Sequence, residues 1–273
     1  MEPELKKRVQ TGVLGGTFLL LLIIFGGRLG VAFLAAGLSI GMLFEFVEIT
    51  FSLSDKREKR GVLMGTAWLI AFLNFWLPRA EFDLFLWSFF GLFAYFLFTA
   101  DRHEQEALRT HFQELMYSVF GLLYLAVLPL FLLPLREGSN GVHWTLLFFF
   151  IVWAGDSGAY FAGRKYGRTP LYRHISPKKT REGALGGMVA GFCVTLLYKV
   201  LLFRSLPWFG VIFIPALIGA VAPVGDLAES FLKRAFDKKD SGSILPGHGG
   251  FLDRFDGVVF SLPIMVACSR LFS

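Results

Sequence analysis

Charge is scarce in this chain of 273 residues. Only 18% of them are Asp, Glu, Lys or Arg, where a soluble domain carries about 25%. Cysteine is scarcer still: Cys193 and Cys268 both lie inside apolar runs, form no CxxC pair and have no histidine cluster beside them, so they read as small buried hydrophobes. The charged loops hold no GxxxxGK[ST] and no GxGxxG, so neither a Walker-type nor a dinucleotide site is indicated. There are no alternating segments of about ten residues, which argues against a transmembrane barrel. Without a fixed-period repeat or a low-complexity linker, residues 1–273 read as a single membrane domain.

Apolar residues are abundant instead. They make up 55% of the chain, 32 of them Phe, and the mean hydropathy is +0.58. Runs such as FLLLLIIFGG and TLLFFFIVWAG are too long and continuous for a half-buried strand. About 20 apolar residues cross a bilayer as a helix. The pattern predicts an all-α polytopic membrane protein with nine spans, at 11–27, 29–50, 61–78, 82–100, 113–135, 142–163, 183–203, 207–232 and 255–272. The basic start and apolar run of MEPELKKRVQTGVLGGTFLLLLIIFGG resemble a signal peptide. No A-x-A site follows, so it reads as an uncleaved first helix joined to the second by a tight hairpin. Pro78, Pro134 and Pro207 fall at span ends, whereas Pro215, Pro223 and Pro263 fall within spans as expected kinks or breaks.

Lys and Arg cluster on alternate loops, around residues 6–8, 56–60, 102–109, 164–181 and 233–254. The intervening loops keep only Arg28, Arg79, Arg136, Lys199, Arg204 and Arg270. Loop bias of this kind sets orientation. It predicts a cytoplasmic N-terminus and an outer C-terminus; the expected location is the cell's inner (plasma) membrane. The net charge of +6 is then topology and attraction to anionic lipid rather than a nucleic-acid signal. The cluster at 56–60 takes that plain reading.

Two inner loops, 164–182 and 233–254, carry more charge than orientation needs, and they mark 142–273 as the informative half. Each follows a span with a carboxylate near its cytoplasmic end: Asp156 in one case, Asp226 and Glu229 in the other. Ionisable groups at that depth are costly and are candidates for function. In GDLAESFLKRAFDKKD, helical spacing puts Asp226, Glu229, Ser230, Lys233 and Asp237 on one stripe. Asp253 and Asp256 share a face of the next helix. If the two helices lie antiparallel, Asp226, Asp253 and Asp256 converge, and they would repel one another unless a cation lies between them. Hard oxygen donors without Cys or clustered His suit Mg²⁺ or Mn²⁺. Around them stand Lys178, Lys179, Arg181, Lys233, Arg234, Lys238, Lys239 and Arg254, as polyphosphate chemistry requires. His248, in the PGHGG turn, reads as a phosphate contact, a general base or a turn residue. Glu45 and Glu48, at the end of the second span, either approach this site or snorkel to the membrane surface.

At this point the residues resemble a known family. SFLKR, four residues, KDSG, two residues and LPGHGGFLDRFD, together residues 230–256, resemble the signature of the phosphatidate cytidylyltransferases. DSGAYFAGRKYGR and ISPKKTREGALGG are similar to that family's second conserved region. The resemblance implies condensation of CTP with phosphatidate to CDP-diacylglycerol and pyrophosphate on the cytoplasmic side. It implies Mg²⁺ held by Asp226, Asp253 and Asp256, with a second cation left open. Lys233 and His248 join those acids as catalytic candidates. Arg234, Lys239, Asp240 and Arg254 stand beside them, while Ser176, Lys178, Lys179, Thr180, Arg181 and Asp156 contribute to substrate binding. The chain departs from the family at Gly257, often Ser there, and in APVGD before Asp226. Membrane lipid is an expected partner, nucleic acid is not, and intramembrane Gly and Ala are compatible with a homodimer. An ion-coupled transporter would instead place its charges near mid-bilayer in two like halves. A CDP-alcohol phosphotransferase would show DG…AR…G…D…D, which this chain does not; a CTP-dependent polyprenol or phytol kinase stays open as a relative.

Overall fold

A computed structural model describes the backbone of residues 3–51, 56–77, 80–100, 105–173, 175–242 and 249–272, with side chains from Gln10 onward. Among these residues the chain forms nine long helices: α1 (Pro3–Phe25), α2 (Gly27–Thr50), α3 (Lys56–Trp76), α4 (Glu81–Thr99), α5 (Gln105–Glu137), α6 (Gly141–Tyr166), α7 (Arg181–Leu201), α8 (Trp208–Ala235) and α9 (Leu252–Phe272). Each predicted span falls on one of them. Seven, α2 and α4 to α9, are long and apolar enough to cross a membrane, and Gln10–Phe25 of α1 is a shorter apolar stretch. In α3 the charged start Lys56, Arg57, Glu58, Lys59, Arg60 continues the helix beyond its apolar run. The protein is an all-α polytopic membrane protein. Its outer surface agrees, with Trp68, Trp87, Phe98, Leu197 and Ile212 exposed as lipid-facing side chains should be.

The hairpin between α1 and α2 is tight, as expected: Gly27 takes φ +56°, a left-handed conformation that suits glycine. The predicted breaks behave differently. α8 runs through Pro215 and Pro223, and α9 through Pro263. α5 instead changes its winding, becoming π-helical over Leu122–Val127 just before Pro129. Proline has no N–H to offer the carbonyl four residues back, so the hydrogen-bond ladder must shift nearby. A small antiparallel hairpin between α6 and α7, β1 (Pro170–Tyr172) and β2 (Ser176–Thr180), was not expected from the sequence.

One apolar core joins the two halves. It includes Met42, Leu43 and Phe46 of α2, Leu125 of α5, Phe148 of α6 and Leu262 of α9. Two close crossings then position the polar groups. At the first, α6 meets α7 through small residues: a Cβ on Gly186 would lie 2.2 Å from the Ala162 Cβ, and one on Gly158 only 2.7 Å from the Gly186 oxygen. Small residues allow such backbone approach. At the second, α8 and α9 run antiparallel. A Cβ on Gly225 would lie 2.7 Å from the Asp256 oxygen, and one on Gly257 would lie 2.8 Å from Asp226 Oδ1. The missing side chain at Gly257 leaves room for the Asp226 carboxylate and the Ala222 carbonyl oxygen against α9.

α8 ends one turn earlier than the predicted stripe requires. Lys238 N–H donates to the Lys233 carbonyl (2.7 Å) and Asp237 N–H to that of Arg234 (3.2 Å), while Asp237 takes φ +53°. This pair of bonds is a Schellman stop. Asp237 is exposed past the helix end and leaves the stripe, a correction to the expected alignment; Asp226, Glu229, Ser230 and Lys233 remain on it.

Candidate active site

A cavity of about 1270 Å³ runs from the α8–α9 crossing towards α1 and α2. One end is charged. Asp156 of α6, Ser176, Lys178, Lys179 and Thr180 of β2, Asp226, Glu229 and Lys233 of α8, and Asp253, Arg254 and Asp256 of α9 all line it. The other end is apolar or bare backbone, with Gly15, Phe18 and Leu22 of α1 facing Phe33, Leu34 and Leu38 of α2. The space is continuous between them.

The carboxylates at the charged end are not equivalent. Lys179 Nζ donates to Asp226 Oδ2 at 2.7 Å. Lys233 serves two acids: it is 2.8 Å from Glu229 Oε2 and also bonds Asp253 Oδ1. Asp253 Oδ2 accepts from Ser241 N–H (3.2 Å), Ser241 Oγ–H (2.9 Å) and Gly250 N–H (3.1 Å). Buried Asp256 accepts from Gly257 N–H at 2.8 Å. Asp156 interacts electrostatically with Asp226, Lys179 and Arg254. Glu229 Oε1 is buried with no hydrogen-bond partner among the described residues. Leaving such an acceptor unmet costs about 1–3 kcal/mol.

This donor set fits a hard divalent cation, since every candidate ligand is a carboxylate oxygen and one of them is unmet. Among the described residues, no three His, Cys, Asp or Glu side chains are gathered into a ready-made cage. Mg²⁺ does not need one, because it is usually held by one or two carboxylates plus substrate phosphates. Asp253 has the least to give. Its Oδ2 takes the Ser241 and Gly250 N–H groups and shares the Ser241 hydroxyl with Glu45, and its Oδ1 accepts from Lys233.

The other expected residues divide by position. Lys179 and Arg254 line the cavity beside the acids. Thr180 also lines it, but its Oγ1 accepts from Gly183 N–H at 3.1 Å and so caps α7. Arg181, Arg234, Lys239 and Asp240 are exposed and do not line the cavity. His248 lies outside the described residues.

The N-terminal half brings one residue that the sequence left open, Glu45, and one that it did not mark, Tyr124. Glu45 of α2, 1% exposed, accepts from Ser241 Oγ–H (2.7 Å), Phe251 N–H (2.8 Å) and Leu252 N–H (2.9 Å). It does not snorkel. Glu48 does turn outward, pairing with Lys56 at 3.0 Å and with Arg60. Buried Tyr124, in the π-helical stretch, donates to the Gly225 carbonyl at 3.4 Å, one residue before Asp226. Glu45 carried a signal, an acid in an apolar run; Tyr124 carried none.

A helical membrane protein with acids and bases gathered at one end of a half-apolar cavity has the make-up of a membrane-embedded enzyme for phosphate-bearing substrates. The family model described as the cytidylyltransferase family matches residues 6–272. A phosphatidate cytidylyltransferase from Bacillus subtilis (strain 168) is 30% identical over 281 residues, covering 99% of this chain and 99% of that protein. One from Staphylococcus saprophyticus is 38% identical over 157 residues, 58% of this chain and 60% of that protein. Another from Staphylococcus aureus (strain COL) is 42% identical over 161 residues, with the same coverage. The chain belongs to the cytidylyltransferase family and is an enzyme of the nucleotidyltransferase class.

Proposed function

We propose that this chain is a phosphatidate cytidylyltransferase, joining CTP and phosphatidate into CDP-diacylglycerol and pyrophosphate. The observation that carries the reading is the two-ended cavity. Its charged end suits a triphosphate and a phosphate headgroup, and its apolar end between α1 and α2 suits acyl chains.

In the proposed reaction a phosphatidate phosphate oxygen attacks the α-phosphorus of CTP. A new P–O bond forms, the bond to the β-phosphate breaks, and pyrophosphate leaves with the electron pair. The nucleophile is already anionic at neutral pH, so no strong base is needed. The main barrier is repulsion between two polyanions, which fixed cations and positioning lower. Lys179, Lys178 and Arg254 face the phosphates. Lys233 holds Glu229 and Asp253 in place, and Tyr124 steadies the backbone beside Asp226. Mg²⁺ would be held by carboxylates of the set Asp226, Asp253 and Asp256, with Glu229 adjacent, together with substrate phosphates, and would supply charge neutralisation there.

The proposed topology is nine crossings with the N-terminus and active site cytoplasmic, in the inner membrane, and Ser273 outside. A reporter fused after Ser273 should be active only outside the cytoplasm; activity confined to the cytoplasm would reverse the orientation. For the reaction, purified protein supplied with CTP and Mg²⁺ should release pyrophosphate when phosphatidate is added and not when a polyprenol is added. Release with polyprenol alone, or no phosphatidate dependence, contradicts the proposal.

A further inference from the structure

Glu45 lies in the half of the chain that carries no signature, yet its carboxylate ends at the first turn of α9. Three donors from within the signature segment converge on it: the Ser241 hydroxyl and the Phe251 and Leu252 N–H groups. The N–H groups that open a helix have no partner within it. An anion placed there satisfies them and complements the helix dipole. Here the anion comes from another helix.

The fit around it is built from backbone. A Cβ on Gly250 would lie 2.7 Å from Glu45 Oε2 and 1.7 Å from Ser241 Oγ, and one on Gly242 would lie 2.6 Å from Glu45 Oε1. On the α2 side, a Cβ on Gly41 would run into the Phe251 ring at 2.8 Å. Glycine on both faces lets α2 and the start of α9 close on one carboxylate.

Ser241 links this carboxylate to the site. Its single hydroxyl proton has two acceptors in reach, Glu45 Oε2 at 2.7 Å and Asp253 Oδ2 at 2.9 Å. Asp253 also takes Ser241 N–H and Gly250 N–H. Two acids, one from each half, thus divide the donors at the start of α9. We infer that Glu45 is a positioning residue: by anchoring Ser241, Phe251 and Leu252 it fixes where Asp253 meets Lys233 and where Arg254 and Asp256 face the cavity. This inference rests on the proposed cytidylyl transfer, in which those residues act.

The test uses the full-length protein in lipid nanodiscs and the substitutions Glu45→Gln and Ser241→Ala. Gln keeps the reach but puts an amide N–H₂ against N–H donors. Glu45→Gln should lower kcat per folded molecule by about 10-fold to 100-fold, the range seen when supporting partners are lost, while KM for phosphatidate changes less than about threefold. Amide exchange across residues 249–254 should speed up while exchange across α6 does not. Ser241→Ala should cost less, and its effect should shrink in the Glu45→Gln background, because the two share one bond. A general loss of structure would lower the folded fraction without this local pattern. Unchanged exchange across 249–254, or kcat within about twofold of native, overturns the inference. If Glu45→Gln does not fold, Ser241→Ala decides it by the same two criteria. If the native protein lacks phosphatidate-dependent turnover, the functional reading fails, and exchange alone then decides whether Glu45 anchors α9.

Discussion

The two halves of the chain both hold ion pairs at the expected cytoplasmic end, and they use them in opposite ways. In the N-terminal half several charges are matched close by. Lys59 meets Glu114 at 3.2 Å with side chains 7% and 13% exposed, and Glu48 is shared by Lys56 and Arg60. Lys59 also lies over the Phe96 ring, 4.3 Å from its centroid. None of these residues lines the cavity. In the C-terminal half Asp156, Asp226, Glu229, Asp253 and Asp256 surround one space, Lys233 is divided between two of them, and one Glu229 oxygen is left unmet. Charge satisfied within the protein is architecture. Charge left facing a cavity is set for a ligand.

That contrast can be broken most severely at Asp253 and Asp226. Asp253→Asn and Asp226→Asn should each lower CDP-diacylglycerol formation by about 100-fold or more, with the helical circular dichroism unchanged. Near-native turnover in either variant would remove that residue from the site. A smaller loss is expected where packing holds the site's frame. Gly158→Val drives side-chain carbon into the Gly186 carbonyl, which cannot swing aside. It should cost about 1–3 kcal/mol of stability and lower turnover about tenfold by displacing Asp156 and the β-hairpin. An unchanged thermal midpoint would show that α6 and α7 have slack. In the N-terminal half the prediction reverses. Lys59→Met should cost about 3–5 kcal/mol by stranding Glu114, yet leave turnover of the folded protein within about twofold. Much of the lost stability should return in Lys59→Met with Glu114→Leu. Turnover that falls with the folded fraction held constant would move that pair into the mechanism. The smallest effect belongs to Lys56→Gln, a partly exposed pair worth about 0–1 kcal/mol, measured by the same thermal midpoint.

Most of the C-terminal site was legible because its residues are close in sequence. Asp226 to Lys233 fall on one helical stripe, and Asp253 with Asp256 on the next helix, so periodicity alone groups them. Asp237 fell off the stripe because helix stops depend on backbone conformation, and a left-handed Asp is a poor sequence signal. Glu45 and Tyr124 were the harder cases. Glu45 reaches donors 196 to 207 residues away, and no local pattern encodes such a partner. The β-hairpin was hidden because its strands are short, three and five residues, in a segment dominated by charge. The spans themselves were plain from apolar length; their charged ends were not, since a helix continues into polar residues where no breaker stops it.

In the proposed reaction the charged end of the cavity directs attack at the α-phosphorus of CTP by a lipid phosphate. Labelled CTP distinguishes this from the alternatives. With phosphatidate and Mg²⁺, label at the α-phosphorus should appear in an organic-soluble CDP-lipid, and label at the γ-phosphorus should appear only in pyrophosphate, in equal amounts. Transfer of the γ-label into lipid, with CDP as the other product, would make the protein a lipid kinase and rule out cytidylyl transfer.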